Sequence, residues 1–209
     1  MIFETLSVGP LQCNCIILGD EKTGEAIVID PGDEVKKIAA LLEQHKLKCT
    51  QIIHTHTHFD HVGGTSDLQA KTGGKIAIHQ EDLFLFEKLP MQAAMFGFAA
   101  PKPAGIDRFL KDGDTVTCGD INLEVIHTPG HTKGSLCFHL PGQMLFAGDT
   151  LFMGSIGRTD LWGGSFDEIM KSLKGRIMTL PDNLTVHCGH GPVTSIGRER
   201  RSNPFLVSS

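Results

Sequence analysis

Four histidines and one aspartate lie within eight consecutive positions of this chain, in the stretch IIHTHTHFDHVGG (52–64). In an extended segment, residues two positions apart point to the same side, so alternate side chains can converge on one metal ion. Two registers fit equally well, and spacing alone does not choose between them. They are His54, His56 and His58, or His56, His58 and Asp60.

The glycines that close this stretch widen the choice of ligands. Asp60 and His61 stand just before Gly63 and Gly64, and glycine permits a tight turn and a close approach of backbones. His61 can therefore turn toward the same place as Asp60.

Three later stretches also carry metal-ligating residues, and each directly follows a predicted strand. Strand ends are where an α/β protein brings side chains from distant parts of the sequence into one crevice. A lone histidine is more often a surface or core residue than a ligand, but four such stretches together indicate one site. They are THTHFDHVGG (55–64), HTPGHT (127–132), FAGDTLF (146–152) and HCGHGP (187–192).

Predicted strands and helices recur in the same style in the two halves of the chain, with no composition break that would mark a linker. The pattern predicts two facing sheets with helices outside, a four-layer α/β sandwich. In the first half, strands are predicted at 2–8, 13–19, 25–30, 49–54 and 75–79, and helices at 34–46, 62–71 and 80–89. In the second half, strands are predicted at 114–119, 121–127, 135–141, 143–149 and 184–190, and a helix at 166–178.

The run LPMQAAMFGFAAPKPAGI (89–106) fits neither the helical nor the strand period and contains three prolines. We interpret it as a long loop with a Met/Phe face, and loops of that length are usually functional or disordered. It is a candidate cover for the predicted site.

Composition and charge exclude several classes of partner. The net charge of -5 disfavours nucleic acid, whose binding relies on Lys and Arg. No run approaches the roughly eighteen apolar residues of a membrane span, and the first residues show no secretory signal. Six cysteines without CxxC pairs are typical of reduced thiols. We therefore expect a cytoplasmic protein with no membrane association.

The motif His56-Thr57-His58-Phe59-Asp60-His61 resembles the HxHxDH signature of the metallo-β-lactamase superfamily, and TPGHT, AGDTLF and CGHGP resemble its later motifs in order. The resemblance covers essentially the whole chain and implies one αββα domain over residues 1–209. It implies two divalent metal ions, with zinc expected first and iron or manganese as alternatives. The implied first site is His56, His58 and His131, the second is Asp60, His61 and His190, and Asp149 bridges them.

The same resemblance assigns further roles. Asp60 and Asp149 become the catalytic carboxylates, and His54 is left as a flanking residue. Asp30, in VIDPGD, is interpreted as a carboxylate that orients a ligand histidine, although a helix cap or turn is the commoner use of such an aspartate. Two neighbouring metals can acidify a shared water and stabilise charge on a substrate oxygen, which is the design of a hydrolase.

GSIGRTDLWGG (154–164) and GRERRSNPF (197–205) resemble the short members of the glyoxalase II group, which cleave S-acylglutathione thioesters such as S-lactoylglutathione. By this resemblance Arg158 lies near a substrate carboxylate, and the expected partner is a small acyl thioester. Longer members carry a C-terminal helical extension and substrate-contacting tyrosines. This chain ends at Ser209, contains no tyrosine, and has Asp160 near the position of an expected aromatic residue.

Several alternatives remain open from sequence. A persulfide dioxygenase resembles this group closely and would use a single iron on His56, His131 and Asp149. A lactonase, a β-lactamase or another ester or amide hydrolase fits the same metal core, because fold does not fix substrate. A metal-binding scaffold without catalysis is disfavoured, since all seven ligand positions are present.

Overall fold

Two six-stranded sheets pack face to face, with helices on both outer surfaces, in a computed structural model that describes residues 1–102 and 104–207. This confirms the predicted four-layer αββα sandwich. Pro103, within the predicted 89–106 loop, and Ser208 and Ser209, within the predicted 1–209 domain, lie outside the described residues.

The first sheet is built by the N-terminal half of the chain, with its strands in chain order. They are β1 (Ile2–Val8), β2 (Cys13–Gly19), β3 (Glu25–Ile29), β4 (Lys48–Ile53), β5 (Lys75–His79) and β6 (Arg108–Leu110). The first three form an antiparallel meander, and β4, β5 and β6 are added in parallel. The parallel strands β3, β4 and β5 therefore direct their C-terminal ends to one edge of the sheet.

The second sheet is built by the C-terminal half. The strands of this half are β7 (Thr115–Cys118), β8 (Ile121–His127), β9 (Leu136–Leu140), β10 (Met144–Gly148), β11 (Leu151–Phe152), β12 (Ser155–Ile156), β13 (Thr185–Cys188) and β14 (Thr194–Ser195). β11 and β12 form a separate hairpin. The sheet order is β14-β13-β10-β9-β8-β7, and β10 and β13 are its parallel pair.

Helices cover the outer faces of both sheets. They are α1 (Val35–Gln44), α2 (Phe59–Val62), α3 (Thr65–Thr72), α4 (Leu83–Glu87), α5 (Leu89–Met95), α6 (Phe166–Gly175), α7 (Ile196–Ser202) and α8 (Pro204–Val207), with short 3-10 turns at Gln80–Asp82 and Ile177–Thr179. α1 and α3 pack on the first sheet, while α6 and α7 pack on the second. None of these helices, within the described part of the chain, is long and apolar enough to cross a membrane.

The two-residue period of β2 shows how one strand joins two layers. Ile16 and Leu18 point between the sheets, whereas Cys15 and Ile17 point outward beneath α1 and α3. All four are buried, so a strand covered on both faces is apolar almost throughout. Each fully buried Ile or Leu side chain contributes about 1.5–3 kcal/mol relative to an exposed one. The sheets therefore form a rigid platform for the loops at their edges.

The prediction of a loop over 89–106 is wrong for the first seven residues, which form α5. Pro90 lies in the first turn of this helix, where a missing N–H costs no helical hydrogen bond. Leu89 and Ala93, four residues apart, are buried, and the Gln92 side chain donates to the Leu85 carbonyl oxygen at 2.7 Å. Residues 96–102 and 104–106 contain no helix or strand.

The helix predicted from Val62 to Lys71 is divided between α2 and α3 at Gly63 and Gly64. A Cβ atom on Gly63 would lie 2.5 Å from the Gly32 oxygen, and one on Gly64 would lie 2.6 Å from the Pro31 oxygen. Both glycines have negative φ, so close approach and not backbone conformation requires them. This contact places the loop after β3 directly against the histidine stretch.

Asp82 joins loops from the two sheets, and sequence analysis did not identify it. Its side chain is buried and accepts hydrogen bonds from the Thr57 N–H at 3.0 Å, the Thr132 hydroxyl at 2.9 Å and the Gly134 N–H at 2.6 Å. Thr57 lies in the histidine stretch after β4, and Thr132 follows His131 after β8. One carboxylate thus fixes the relative positions of two candidate ligand loops.

Replacing Asp82 with Ala should lower the free energy of unfolding by about 2–4 kcal/mol, because three buried donors would lose their acceptor. Chemical denaturation of both proteins measures the change. Asp120→Ala, which removes an exposed aspartate paired with Lys22, is the matched control and should change stability little. Equal stability of the Asp82→Ala variant and the wild type would contradict this role.

Asp82 should also give stability a distinctive pH dependence. Burial raises the pKa of Asp82 from 3.8 to about 6, although hydrogen bonds from Gly134, Thr132 and Thr57 act in the opposite direction. Because the folded-state pKa exceeds the unfolded one, the contribution is present below pH 4 and is lost as pH rises through 6. Relative to Asp82→Asn, which cannot titrate, the wild type should lose up to about 3 kcal/mol over that range. A pH-independent difference in denaturation would refute the assignment.

Candidate metal centre

The seven predicted ligands converge at one edge of the sandwich, where strands from both sheets end. His56 and His58 lie in the loop after β4, and Asp60 and His61 lie in α2. The remaining three follow β8, β10 and β13 respectively, and they are His131, Asp149 and His190. Five of the seven therefore lie in segments that directly follow strands, whereas Asp60 and His61 lie in a short helix that continues the first of these segments.

The first group contains His56, His58 and His131, all buried, with one potential ligand atom from each lying within 4.8 Å of the others. The Nε2 atoms of His56 and His131 are 3.2 Å apart. The rings of His56 and His58 stand nearly perpendicular, with centroids 4.8 Å apart. Three imidazoles thus face one small volume.

The second group contains Asp60, His61 and His190, again with one potential ligand atom from each within 4.8 Å of the others. The Nε2 atoms of His61 and His190 are 3.2 Å apart, and the His190 Nε2 lies 3.2 Å from the Asp60 Oδ2. Two nitrogens and one carboxylate oxygen therefore face a second volume beside the first.

Asp149 lies between the two groups. Its Oδ1 is 3.4 Å from the His61 Nε2, and its Oδ2 is 3.6 Å from the His131 Nε2. Oδ1 is buried and has no hydrogen-bond partner among the described residues. A buried acceptor without a donor is costly, and a cation would satisfy it. Asp149 therefore occupies the position expected of a carboxylate shared by two metals.

Hydrogen bonds at the outer ring nitrogens determine the tautomers in the second group. The His61 Nδ1 lies 3.1 Å from the Asp30 Oδ2, and the His190 Nδ1 lies 2.9 Å from the Leu11 carbonyl oxygen. Both oxygens are acceptors, so both Nδ1 atoms carry the hydrogen. The two Nε2 atoms face each other across 3.2 Å. Burial opposes protonation of both rings, but Cys13 and Asp149 raise the pKa of His61, and Asp60 and Asp149 raise the pKa of His190. Positive charge is therefore favoured between the two Nε2 atoms, and a metal ion would take the place of a proton there.

The same logic holds in the first group. The His131 Nδ1 donates to the Arg158 carbonyl oxygen at 2.8 Å. The Thr55 hydroxyl donates its hydrogen to the Asp30 Oδ2 at 2.6 Å, so it can only accept from the His56 Nδ1 at 3.1 Å. The Nε2 atoms of His56 and His131 therefore both carry a lone pair, and these lone pairs face each other.

The charge states of His56, His58 and Asp60 suit metal ligation. Burial, followed by the neighbouring histidines, lowers the pKa of His56 and of His58 well below its usual value, which keeps both imidazoles neutral. Burial would raise the pKa of Asp60, but His61 and His190 hold it below its usual range, so this group is a carboxylate. Neutral imidazole and ionised carboxylate are the forms that bind metal.

This donor set fits two divalent metal ions. Imidazole nitrogens and carboxylate oxygens suit zinc, iron and manganese, and each group offers three donors before Asp149 is counted. The alternative register is not assembled. The His54 Nε2 is 3.1 Å from the Thr65 hydroxyl, and its Nδ1 is 3.7 Å from the Asp30 Oδ1, so both ring nitrogens face away from the two groups.

Asp30 holds the histidine stretch from behind. Its Oδ1 accepts from the Thr55 N–H at 2.8 Å, and its Oδ2 contacts both the Thr55 hydroxyl and His61. Burial opposes ionisation, but the neighbouring His54 and His61 lower the pKa of Asp30 to about 2. Its φ of 52° lies in the left-handed region, which asparagine and aspartate tolerate better than most residues. Asp30 thus contacts both the backbone of the histidine stretch and the candidate ligand His61.

A cavity of about 410 Å³ opens onto the two groups. Five candidate ligands line it, and they are His58, Asp60, His131, Asp149 and His190. The rest of the wall is mainly apolar and includes Leu11, Leu85, Met95, Phe96, Leu161 and Trp162. A substrate bound here would reach the candidate ligands while its remainder contacts apolar side chains.

Arg158 lines this cavity, but its guanidinium is already paired. Its Nε donates to the Asp160 Oδ1 at 2.7 Å, and its Nη2 donates to the Asp160 Oδ2 at 2.8 Å. Sequence analysis noted Asp160 but did not predict this pair. It also missed the Arg158 and Leu11 carbonyl oxygens as partners of the ligand histidines, because any residue type can supply a backbone oxygen.

The model of the Metallo-beta-lactamase superfamily matches residues 8–190 of this chain. The chain is 38% identical to the hydroxyacylglutathione hydrolase GloC of Haemophilus influenzae, over 100% of this chain and 99% of that protein.

Two solved structures show the same architecture. The BLEG-1 B3 metallo-beta-lactamase superposes with a TM-score of 0.91 at 33% identity, covering 98% of this chain and 99% of the other. TTHA1623 in a di-iron-bound form superposes with a TM-score of 0.89 at 40% identity, covering 97% of this chain and 100% of the other. The motifs, the fold and these similarities agree, and the chain belongs to the metallo-β-lactamase superfamily.

Proposed function

We propose that this protein is a metal-dependent hydrolase of thioesters, and S-acylglutathiones of the S-lactoylglutathione kind are the substrates that its relatives suggest first. The observation that carries the metal dependence is the pair of facing ligand groups with the unpartnered Asp149 Oδ1 between them. The thioester assignment is supported by full-length similarity to a protein named hydroxyacylglutathione hydrolase GloC.

His56, His58 and His131 would hold one metal, and Asp60, His61 and His190 the other, with Asp149 shared. Zinc is proposed first, and iron and manganese are the alternatives, with the di-iron form of TTHA1623 supporting iron. When bound, such a pair supplies an acidified water and stabilises negative charge on the substrate oxygen.

The protein's own groups do the remaining work. Asp60 and Asp149 are the proposed catalytic carboxylates. Both line the cavity, and the depressed pKa of Asp60 keeps its oxygens ready to accept a hydrogen bond from an attacking water. Asp30 and the carbonyl oxygen of Arg158 orient His61 and His131. The apolar wall limits the access of water to the cavity.

The partner is proposed to be a small acyl thioester, and the location to be the cytoplasm. All six cysteines are free and buried, which supports the reducing compartment expected from sequence. Burial raises the pKa of Cys188 to about 12, so this thiol near His190 is an inert core group.

A persulfide dioxygenase is the second candidate. It would use one iron on His56, His131 and Asp149, and these three residues do lie together. The second group argues against it, because Asp60, His61 and His190 would then face each other without a function. A β-lactamase or lactonase activity is the third candidate, supported by the similarity to the BLEG-1 enzyme.

Metal analysis of the purified, metal-loaded protein should find two ions per chain. His190→Ala removes a ligand from the second group only, so this variant should keep close to one ion. His45→Ala, which alters a histidine paired with Glu4 away from the site, is the control and should keep both. One ion in the wild type would favour the single-iron dioxygenase.

Replacing His56 or Asp149 with Ala should reduce thioester turnover by at least about a thousandfold, because each change removes a ligand on which the reacting centre depends. Circular dichroism should show a folded chain. Turnover of S-lactoylglutathione, a simple thioester and glutathione persulfide is compared, with oxygen uptake as the readout for the last. Thioester hydrolysis that persists in these metal-depleted variants would overturn the mechanism. Oxygen uptake with glutathione persulfide by the wild type, without thioester hydrolysis, would establish the persulfide dioxygenase.

A further inference from the structure

Arg158 and Asp160 form a bidentate ion pair in the wall of the cavity. The Arg158 guanidinium and the Asp160 carboxylate face each other in parallel, with N–O distances of 2.7 and 2.8 Å. This is the geometry with which arginine binds any carboxylate, including that of a ligand. The side chains are 53% and 68% exposed, so the pair lies open to a bound molecule and is not a core contact.

Asp160 therefore competes with any substrate carboxylate for Arg158. It lies two residues away on the same chain, and its effective concentration at the guanidinium is far above that of a free ligand. A ligand carboxylate that displaced it would remain beside a second negative charge. Arg158 is the sole Arg or Lys on the cavity wall among the described residues, whereas Asp60 and Asp149 add further carboxylates.

The apolar part of the wall offers a different kind of recognition. Met95, Phe96 and Trp162 are 59%, 44% and 40% exposed, and all three line the cavity. Large apolar side chains left open in a cavity indicate a ligand with apolar surface to bury. The Lys88 side chain is not part of the cavity lining, and its ammonium lies 5.4 Å from the centre of the Trp162 ring.

From this arrangement we infer that Asp160 is a specificity-determining residue. By holding Arg158 it disfavours thiol carriers that bear carboxylates, such as glutathione, and leaves selection to the apolar wall. Uncharged, apolar thioesters are then better substrates than S-acylglutathiones. The inference rests on the proposed thioesterase function, since it names the substrate class preferred by the same site.

Binding of S-hexylglutathione to the metal-loaded protein tests Asp160 without any need for turnover, because this thioether cannot be hydrolysed. By calorimetry, Asp160→Ala should lower the Kd at least about fivefold, since the freed guanidinium gains a charge-assisted contact. The double variant Arg158→Ala/Asp160→Ala should lose that gain. The control Asp120→Ala removes an exposed ion-paired aspartate away from the cavity and should bind as the wild type does.

Two results of this titration would overturn the inference. One is an unchanged Kd in Asp160→Ala. The other is tight binding by the wild type that is lost in Lys88→Ala. That result would show that Lys88, and not Arg158, binds the ligand carboxylate.

Kinetics with a matched pair of substrates give the second test. S-hexanoyl-N-acetylcysteamine and S-hexanoylglutathione carry the same acyl group on an uncharged and a charged thiol. Wild-type kcat/KM should favour the uncharged substrate at least about tenfold, and Asp160→Ala should narrow the ratio mainly through a lower KM for the glutathione thioester. A wild-type preference for the glutathione thioester would overturn the inference. Absence of turnover with both would overturn the proposed function, and the titration would still decide the role of Asp160.

Discussion

Two pairs of imidazole nitrogens face each other at 3.2 Å, and the edge of the sandwich is organised around this constraint. Lone pairs repel at that distance unless positive charge lies between them. The outer nitrogens are already occupied by Asp30, a threonine hydroxyl and two backbone carbonyl oxygens, so the hydrogens cannot move to relieve the repulsion. Two metal ions would satisfy these nitrogens and the unpartnered Asp149 oxygen together.

Two buried carboxylates hold this arrangement in place from outside the candidate ligand set. Asp30 connects the loop after β3 to Thr55 and His61, and Asp82 connects the histidine stretch to the loop that carries His131. Asp82 accepts hydrogen bonds from two loops, and Asp30 joins its own loop to the histidine stretch, so a shift of one loop would disturb the others. Ligands from both sheets can thus keep fixed positions although they lie in irregular segments.

Much of the fold was predictable because its strands and helices have clear periods. The alternation in β2 and the four-residue spacing of Ile38 and Leu42 in α1 both place side chains in the layers where the structure buries them. α5 was not predicted, since Pro90 and a short apolar run hide its period. The three-residue strand β6 was also missed, because it is formed by pairing with β5 and not by its own composition.

The sequence predicts those parts of the candidate site that can be recognised from residue type and position. It does not predict the parts that depend on contacts between distant residues. His56, Asp149 and His190 stand out as ligand types after strands, and the structure brings them together. Asp82 has no neighbouring motif, and its role follows from loops that are 25 and 50 residues away. The Arg158–Asp160 pair depends on side-chain orientation, which sequence does not show.

Anomalous X-ray scattering from crystals of the protein grown with zinc would test the central claim most directly. The account predicts two zinc peaks per chain, one contacting His56, His58 and His131 and the other contacting Asp60, His61 and His190, with Asp149 contacting both. A single peak, or peaks bound by other residues, would contradict it.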